Sequence, residues 1–248
     1  MQGTPHSKTA LVLGGTSDIG FATARAYADA GWRVVLAGRN EAAIRRNADD
    51  LATRSGGDVE VRALDILDTA SFAPFLDGLP TLPDTVVCVV GELGDQAKAQ
   101  TDLDHAARVM RTNFEGPALL LTLLAGRFEA RGSGLIVGIS SVAGDRGRGS
   151  NYVYGAAKAG FTAFLSGLRN RLSPLGVRVV TVKPGFVRTR MTEGMKLPPV
   201  LTAEAEEVGR AIFKAERGGD VLYVRPVWRG VMAIIRAIPE PVFKRLKL

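Results

Sequence analysis

The chain has 248 residues, 46% of them hydrophobic, and a mean hydropathy of +0.10, enough to bury a large core. A single cysteine, Cys88, excludes a disulfide framework, and two histidines, His6 and His105, leave no set for a metal site, so no metal is expected. The formal charge of +7 favours anionic partners such as phosphorylated cofactors or acidic lipid surfaces, but no nucleic-acid motif is present and nucleic acid is not expected.

The opening "MQGTPHSKTALVLGG" lacks a secretory pattern, and no apolar run reaches the roughly 18 residues of a membrane span, which predicts a cytoplasmic protein. Short runs rich in Val, Leu and Ile then recur as predicted strands: 9–14, 33–38, 59–64, 84–90, 134–140, 177–183 and 221–226. Helical patterns lie between them at 18–30, 41–54, 68–77, 101–130, 153–174 and 203–216. Near-continuous apolar strands suit a parallel sheet buried on both faces, and the alternation predicts an α/β, Rossmann-like, doubly wound sheet of seven strands. No linker or repeat interrupts the pattern, so residues 1–248 are expected to form a single domain, with a basic amphipathic tail over 225–248.

The first predicted strand runs into "LGGTSDIG", in which Gly14, Gly15 and Gly20 precede and enter a helix that opens near Ile19. Missing side chains there let the backbone approach a nucleotide diphosphate, and the helix N-terminus offers free N–H groups at Thr16, Ser17 and Asp18. The spacing differs from G-x-G-x-x-G, and a glycine turn kept for packing is the competing reading. The second strand ends in Gly38-Arg39, with no acid in the slot that selects a ribose 2′-hydroxyl; Arg39 favours NADP(H) over NAD(H).

In "YVYGAAK" a helix places Tyr154 and Lys158 one turn apart on one face and turns Tyr152 about 200° away. A fixed cation beside a tyrosine lowers its pKa and makes it a proton donor near neutral pH, although these residues alone are better read as an ordinary surface pair.

Taken together, these residues resemble the short-chain dehydrogenase/reductase family over nearly the whole chain. Tyr154 and Lys158 match its Tyr-x-x-x-Lys, Ser141 in "ISSVAG" its serine (Ser140 is one position short), and Asn113 in "MRTNFEGP" its helix asparagine. Pro184, Gly185, Val187 and Thr189 in "KPGFVRTRM" match the nicotinamide segment, Asp65 the adenine contact and Gly91 the glycine after the fourth strand. The resemblance implies that Tyr154 donates a proton in carbonyl reduction, Lys158 holds the nicotinamide ribose, Ser141 bonds the substrate oxygen and Asn113 positions a water. It also implies a homodimer or homotetramer. Two departures stand out: Asp18 replaces the middle glycine and is expected to face away from the pyrophosphate, and "CVVG" replaces "NNAG".

Within the family the loop, "VVG", "GDRGRGSNYVYG" and the tail are similar to the reductase half of the decaprenylphosphoryl-ribose 2-epimerases. That resemblance implies a polyprenyl-phosphate 2-keto pentose as substrate and a flavoprotein oxidase as partner. Arg146 and Arg148 could then clamp a phosphodiester, with Tyr152 near the pocket; solvated loop charges or subunit contacts are the other readings. The tail, with Trp228 and, from Pro226 onward, five basic residues (Arg229, Arg236, Lys244, Arg245, Lys247), could lie on an anionic membrane at the inner face of the plasma membrane, cover the pocket mouth or dock on a subunit. Residues 186–202 are expected to form a mobile lid. A reductase of 3-oxoacyl thioesters and a non-catalytic NADP(H)-binding regulator are the rival functions.

Overall fold

The computed structural model describes residues 8–246, so His6 and Lys247 lie outside the described residues. In chain order, β1 (Thr9–Leu13), α1 (Asp18–Ala28), β2 (Arg33–Gly38), α2 (Glu41–Ser55) and β3 (Val59–Ala63) form the first half of the sheet. Next come α3 (Phe72–Asp77), β4 (Thr85–Cys88), α4 (Gln96–Ala99), α5 (Leu103–Met110), α6 (Gly116–Arg131) and β5 (Gly134–Ile139). They are followed by α7 (Tyr152–Leu172), β6 (Val177–Lys183), β7 (Phe186–Arg188) and β8 (Thr202–Glu204). The series closes with α8 (Ala205–Lys214), β9 (Val221–Tyr223), α9 (Val227–Ala237) and α10 (Glu240–Phe243).

The seven expected strands form one parallel sheet in the order β3-β2-β1-β4-β5-β6-β9. β1 shows why its sequence does not alternate: Ala10 and Val12 enter the core on one face, Leu11 and Leu13 the core on the other. Both faces are covered by helices, so the successive positions from Ala10 to Leu13 are all apolar. Cys88 sits in the second of these cores, fully buried, where burial pushes its thiol up to about 11; it is a small packing residue.

Three elements differ from expectation. The pattern at 101–130 is broken into α5 and α6 by a wide helical turn at Arg111–Glu115, with Gly116 and Pro117 opening α6. Residues 186–202 begin with β7, which pairs with β8 at the segment's end, and hold tight turns at Arg190–Thr192 and Pro199–Leu201. The tail is two helices, not one. Its entry is forced: Arg225 adopts φ 62°, a left-handed conformation costing on the order of 1–2 kcal/mol. A two-pronged ion pair to Glu207, with Nη2 at 3.0 Å, and a bond from Nη1 to the Val200 carbonyl at 2.9 Å hold it there.

Candidate active site

The strand order reverses between β1 and β4, and the ends of those strands open a crevice. A cavity of about 540 Å³ lies there, reaching from the glycine loop to the ends of β5 and β6. Gly14 leaves β1 at φ +96°, and a side chain at Gly20 would meet the Gly14 carbonyl at 2.3 Å, so the loop can form only with glycine at both places. Neither glycine lines the cavity; they shape the loop on which Thr16, Ser17, Asp18 and Ile19 do. Ser17 caps α1, accepting from the Gly20 N–H at 3.0 Å, and Asn47 of α2 donates to the Gly15 carbonyl at 2.8 Å. The result is a glycine-shaped loop at a helix N-terminus, which fits a dinucleotide pyrophosphate.

Asp18 is among the residues lining the cavity, and its charge is already met by Arg190. Its Oδ2 accepts from the Arg190 backbone N–H at 2.7 Å and its Oδ1 from Arg190 Nε at 2.9 Å. Arg39, at the end of β2, is exposed and makes no ion pair among the described residues. Asp65 is exposed and accepts from the Leu67 N–H at 3.0 Å. Both lie outside the cavity lining, whereas Asn40, the cap of α2 and absent from the sequence reading, lines it.

At the opposite end of the cavity four residues converge. Tyr154 and Lys158 stand one turn apart near the start of α7, Ser141 follows β5, and Asn113 sits in the wide turn between α5 and α6. Asn113 is fixed by donating to the Glu92 carbonyl at 2.7 Å and to the Val109 carbonyl at 2.8 Å. Lys158 Nζ donates to the Ile139 carbonyl at 3.0 Å. A side chain at Gly91 would meet Asn113 Oδ1 at 2.7 Å and Lys158 Nζ at 3.2 Å, which explains why "CVVG" keeps its glycine. Ser140 and Ser141 both line the cavity, but their hydroxyls are bonded differently: Ser140 Oγ donates to the Lys158 carbonyl at 3.0 Å and holds α7 to β5, while Ser141 Oγ accepts from the Ala143 N–H at 3.1 Å and reaches the Tyr154 hydroxyl.

The electrostatics correct one expectation. Tyr154 has its pKa raised, not lowered: burial dominates, and the Ser141 hydroxyl pulls it back only in part. Lys158 Nζ lies 5.8 Å from the Tyr154 ring centroid and bonds Ile139 instead of the phenol. Burial brings the Lys158 amine down to about 8. The phenol therefore keeps its proton, as a general acid requires.

The walls hold further corrections. Arg146 does not line the cavity. Its guanidinium donates to the Ile235 carbonyl at 2.7 Å and to Glu240 Oε2 at 2.8 Å, and it stacks 3.7 Å from the Phe243 ring centroid. It closes the C-terminus of α9, where exposed carbonyls and the helix dipole attract a cation. Tyr152 is 44% exposed and also outside the lining, because the helix turns it away from Tyr154. Arg148 does line the cavity, and its buried Nε has no hydrogen-bond partner; nor has Asn151 Oδ1 beside it. Burial holds the Arg148 pKa down, against the pull of Asp145. The loop that carries it is anchored by a buried ion pair between Asp145 and Lys183 and by the Tyr223 hydroxyl, which donates to Asp145 at 2.8 Å.

Pro184, Gly185, Val187 and Thr189 all line the cavity after β6, joined by Met191 and Met195. Trp228 of α9, placed on a membrane interface by the amphipathic reading, is instead buried at 4% exposure and lines the same cavity. Its indole lies where a Gly185 side chain would be, 1.9 Å from an ideal Cβ, and its Nε1 donates to the Leu201 carbonyl at 3.0 Å. The tail helix thus contributes Trp228 to the wall of the cavity. Among the described residues, no helix is long and apolar enough to cross a membrane.

The short chain dehydrogenase family profile matches residues 8–198. An uncharacterized oxidoreductase of Mycobacterium tuberculosis is 39% identical over 240 residues, spanning 95% of this chain and 96% of its own. A 3-oxoacyl-[acyl-carrier-protein] reductase of Chlamydia muridarum is 32% identical over 193 residues, 76% of this chain and 77% of its own. Among solved structures, a short-chain dehydrogenase from Sphingobium yanoikuyae in complex with NADPH superposes with a TM-score of 0.80 at 25% identity, covering 94% of this chain and 97% of the other. By profile, relatives and fold, this chain belongs to the short-chain dehydrogenase/reductase family of oxidoreductases.

Proposed function

We propose that the protein reduces a ketone to a secondary alcohol with NADPH, using Tyr154 as proton donor. The observation that supports this most is the placing of Tyr154, Lys158, Ser141 and Asn113 at one end of a cavity whose other end is a phosphate cradle. When bound, NADPH supplies the hydride. Ser141 and the Tyr154 hydroxyl hold the carbonyl oxygen, and the phenol gives up its proton as negative charge develops on it. Lys158, charged below about pH 8, stabilises the phenolate left behind. Asn113 keeps the Glu92 and Val109 carbonyls in place around that end of the pocket. NADP(H) is favoured over NAD(H) because the end of β2 offers Arg39, exposed and without an ion pair among the described residues, and no acid in the ribose slot.

For the substrate, the leading reading is a polyprenyl-phosphate-linked 2-keto sugar. The unpartnered Nε of Arg148 suits an anionic group and the unpartnered Asn151 Oδ1 suits a hydroxyl, while Met191, Met195 and Trp228 suit an apolar chain. A flavoprotein would then make the keto sugar, and a homo-oligomer with the exposed basic face of the tail near anionic lipid is compatible. A 3-oxoacyl thioester is the second reading, favoured by the Chlamydia muridarum relative. A non-catalytic NADP(H)-binding regulator is disfavoured by retention of both Tyr154 and Lys158.

The test follows NADPH consumption with a polyprenyl-phospho-2-keto pentose and with an acetoacetyl thioester. The expected result is turnover of the keto sugar, falling about 10²- to 10⁴-fold in Tyr154→Phe while NADPH still binds. Turnover of the thioester alone would move the protein to lipid ketone reduction. NADPH binding with no turnover of either, unchanged by Tyr154→Phe, would favour the regulator.

A further inference from the structure

We infer that Asp18 and Arg190 work as one device: the carboxylate holds the guanidinium as a donor to the dinucleotide pyrophosphate, and so ties cofactor binding to the segment that walls the substrate end. This rests on the dinucleotide reading of the cavity.

A carboxylate in the glycine loop is the wrong charge for its place. At 4 Å two like charges repel by about 1 kcal/mol in water and about 4 kcal/mol at the effective dielectric of a protein surface. Yet Asp18 lines the cavity beside Thr16 and Ser17, at the N-terminus of α1. Both of its oxygens are committed to Arg190, one to the backbone N–H and one to Nε, a grip on main chain and side chain together across 172 residues of sequence. Arg190 Nη2 donates to the Thr16 carbonyl, so the guanidinium lies along the loop itself. Its Nη1 has no partner among the described residues, and the Arg190 side chain remains 69% exposed. A pair that open contributes under about 1 kcal/mol by itself. Its geometry gains purpose if a second anion arrives: a planar fork pinned at Nε and Nη2 leaves Nη1 to meet a phosphate oxygen.

Arg190 also opens the tight turn that follows Thr189, in the segment carrying Met191 and Met195 on the cavity wall. That segment is fixed at its far end, where the Arg225 guanidinium holds the carbonyls of Pro199 and Val200. The Asp18–Arg190 contact is the fastening at its near end. Pyrophosphate binding would tighten that fastening and order residues 189–198 before a ketone enters.

The sign of the effect makes the idea testable. If Asp18 were a tolerated acid, removing its charge should strengthen NADPH binding. If it holds Arg190 in place, Asp18→Asn should weaken binding. The experiment titrates NADPH, and adenosine 2′-monophosphate as a probe without pyrophosphate, against the full chain, Asp18→Asn, Arg190→Met and the double variant, with thermal unfolding as a check of folding. Expected are NADPH dissociation constants raised about fivefold in Asp18→Asn and more than about tenfold in Arg190→Met, where a bare carboxylate faces the phosphates (each tenfold is about 1.4 kcal/mol). Adding Asp18→Asn to Arg190→Met should recover part of the loss, and the 2′-monophosphate should bind all four equally. Hydrogen exchange should show NADPH protecting residues 189–198 in the unaltered protein and not in Asp18→Asn. Tighter NADPH binding by Asp18→Asn, additive losses, equal weakening of the 2′-monophosphate, or protection that persists without Asp18 would each overturn the proposal. Failure of the unaltered protein to bind NADPH would remove the dinucleotide reading and the device with it.

Discussion

The floor and the roof of the cavity are built on different principles. The floor, with Ser141, Tyr154, Lys158 and Asn113, stands on β5, α7 and the turn before α6; Asn113, Ser141 and Lys158 are buried and bonded to main chain, and Tyr154 packs half-buried against Ala99 and Val109. The roof gathers pieces from β7 to α10 that have little sheet to rest on. Three arginines hold it: Arg146 across the end of α9, Arg190 to the glycine loop and Arg225 to Glu207. Three of the basic side chains that suggested anionic surfaces are therefore taken up by contacts within the chain, bonding carbonyls and carboxylates of distant segments. A rigid floor with a pinned roof lets the reaction geometry stay constant while the substrate wall varies.

The sharpest way to break this contrast is Trp228→Ala. Loss of a buried tryptophan costs about 3–5 kcal/mol of stability, and here it also unroofs the pocket. The expected outcome is a lowered Tm and a raised KM for the ketone, with little change in NADPH affinity; a loss of stability below about 1 kcal/mol would show the helix to be an appendage. Arg146→Met and Arg148→Met, two positions apart, should then separate cleanly. The first should raise hydrogen exchange across Val227–Ala237 and leave the core strands protected. The second should leave exchange unchanged and raise KM about ten- to a hundredfold for ketones bearing an anionic group, not for neutral ones, as expected for a lost charged hydrogen bond. Equal exchange in both variants would refute the division of roles.

The smallest expected effect lies in the floor. Burial brings Lys158 to about 8, below the ordinary lysine value, so the folded protein releases that proton at lower pH than the unfolded chain. Below about pH 8 both states carry the charge and the full burial penalty applies; from about pH 8 to about pH 10 the penalty fades as the folded state sheds its proton. Lys158→Met should therefore raise Tm at pH 7, and that advantage should shrink toward pH 10. A constant difference across the range would mean that the amine is better solvated than its surroundings suggest.

The floor was legible because its signals are local or periodic. A helix puts Tyr154 over Lys158 whatever else the chain does, and apolar strands without alternation announce a sheet covered on both sides. The break at Arg111–Glu115 left a weak trace, Gly116-Pro117 in mid-pattern, where proline interrupts a ladder or starts a new helix. The roof was not legible. Nothing in "DRGRG" distinguishes the arginine that ends up 89 residues away on the Ile235 carbonyl from the one that faces the cavity. Asp18 was readable as an oddity, but its partner lies 172 residues on, and no spacing rule reaches that far. The tyrosine pKa went wrong for a related reason: one neighbour was visible in sequence, while the burial that outweighs it belongs to the whole fold.

The indole of Trp228 resting in the space a side chain at 185 would need makes these two positions a lock with a single key. Neither can drift alone, since any residue larger than glycine at 185 evicts the tryptophan, and a smaller residue at 228 leaves a hole beside the segment that follows β6. Variation in what these enzymes accept should then arrive in blocks, with residues 225–246 exchanged as a cassette while the glycine stays. A lineage that lost the cassette would be released from that lock and free to open its pocket to bulkier ketones.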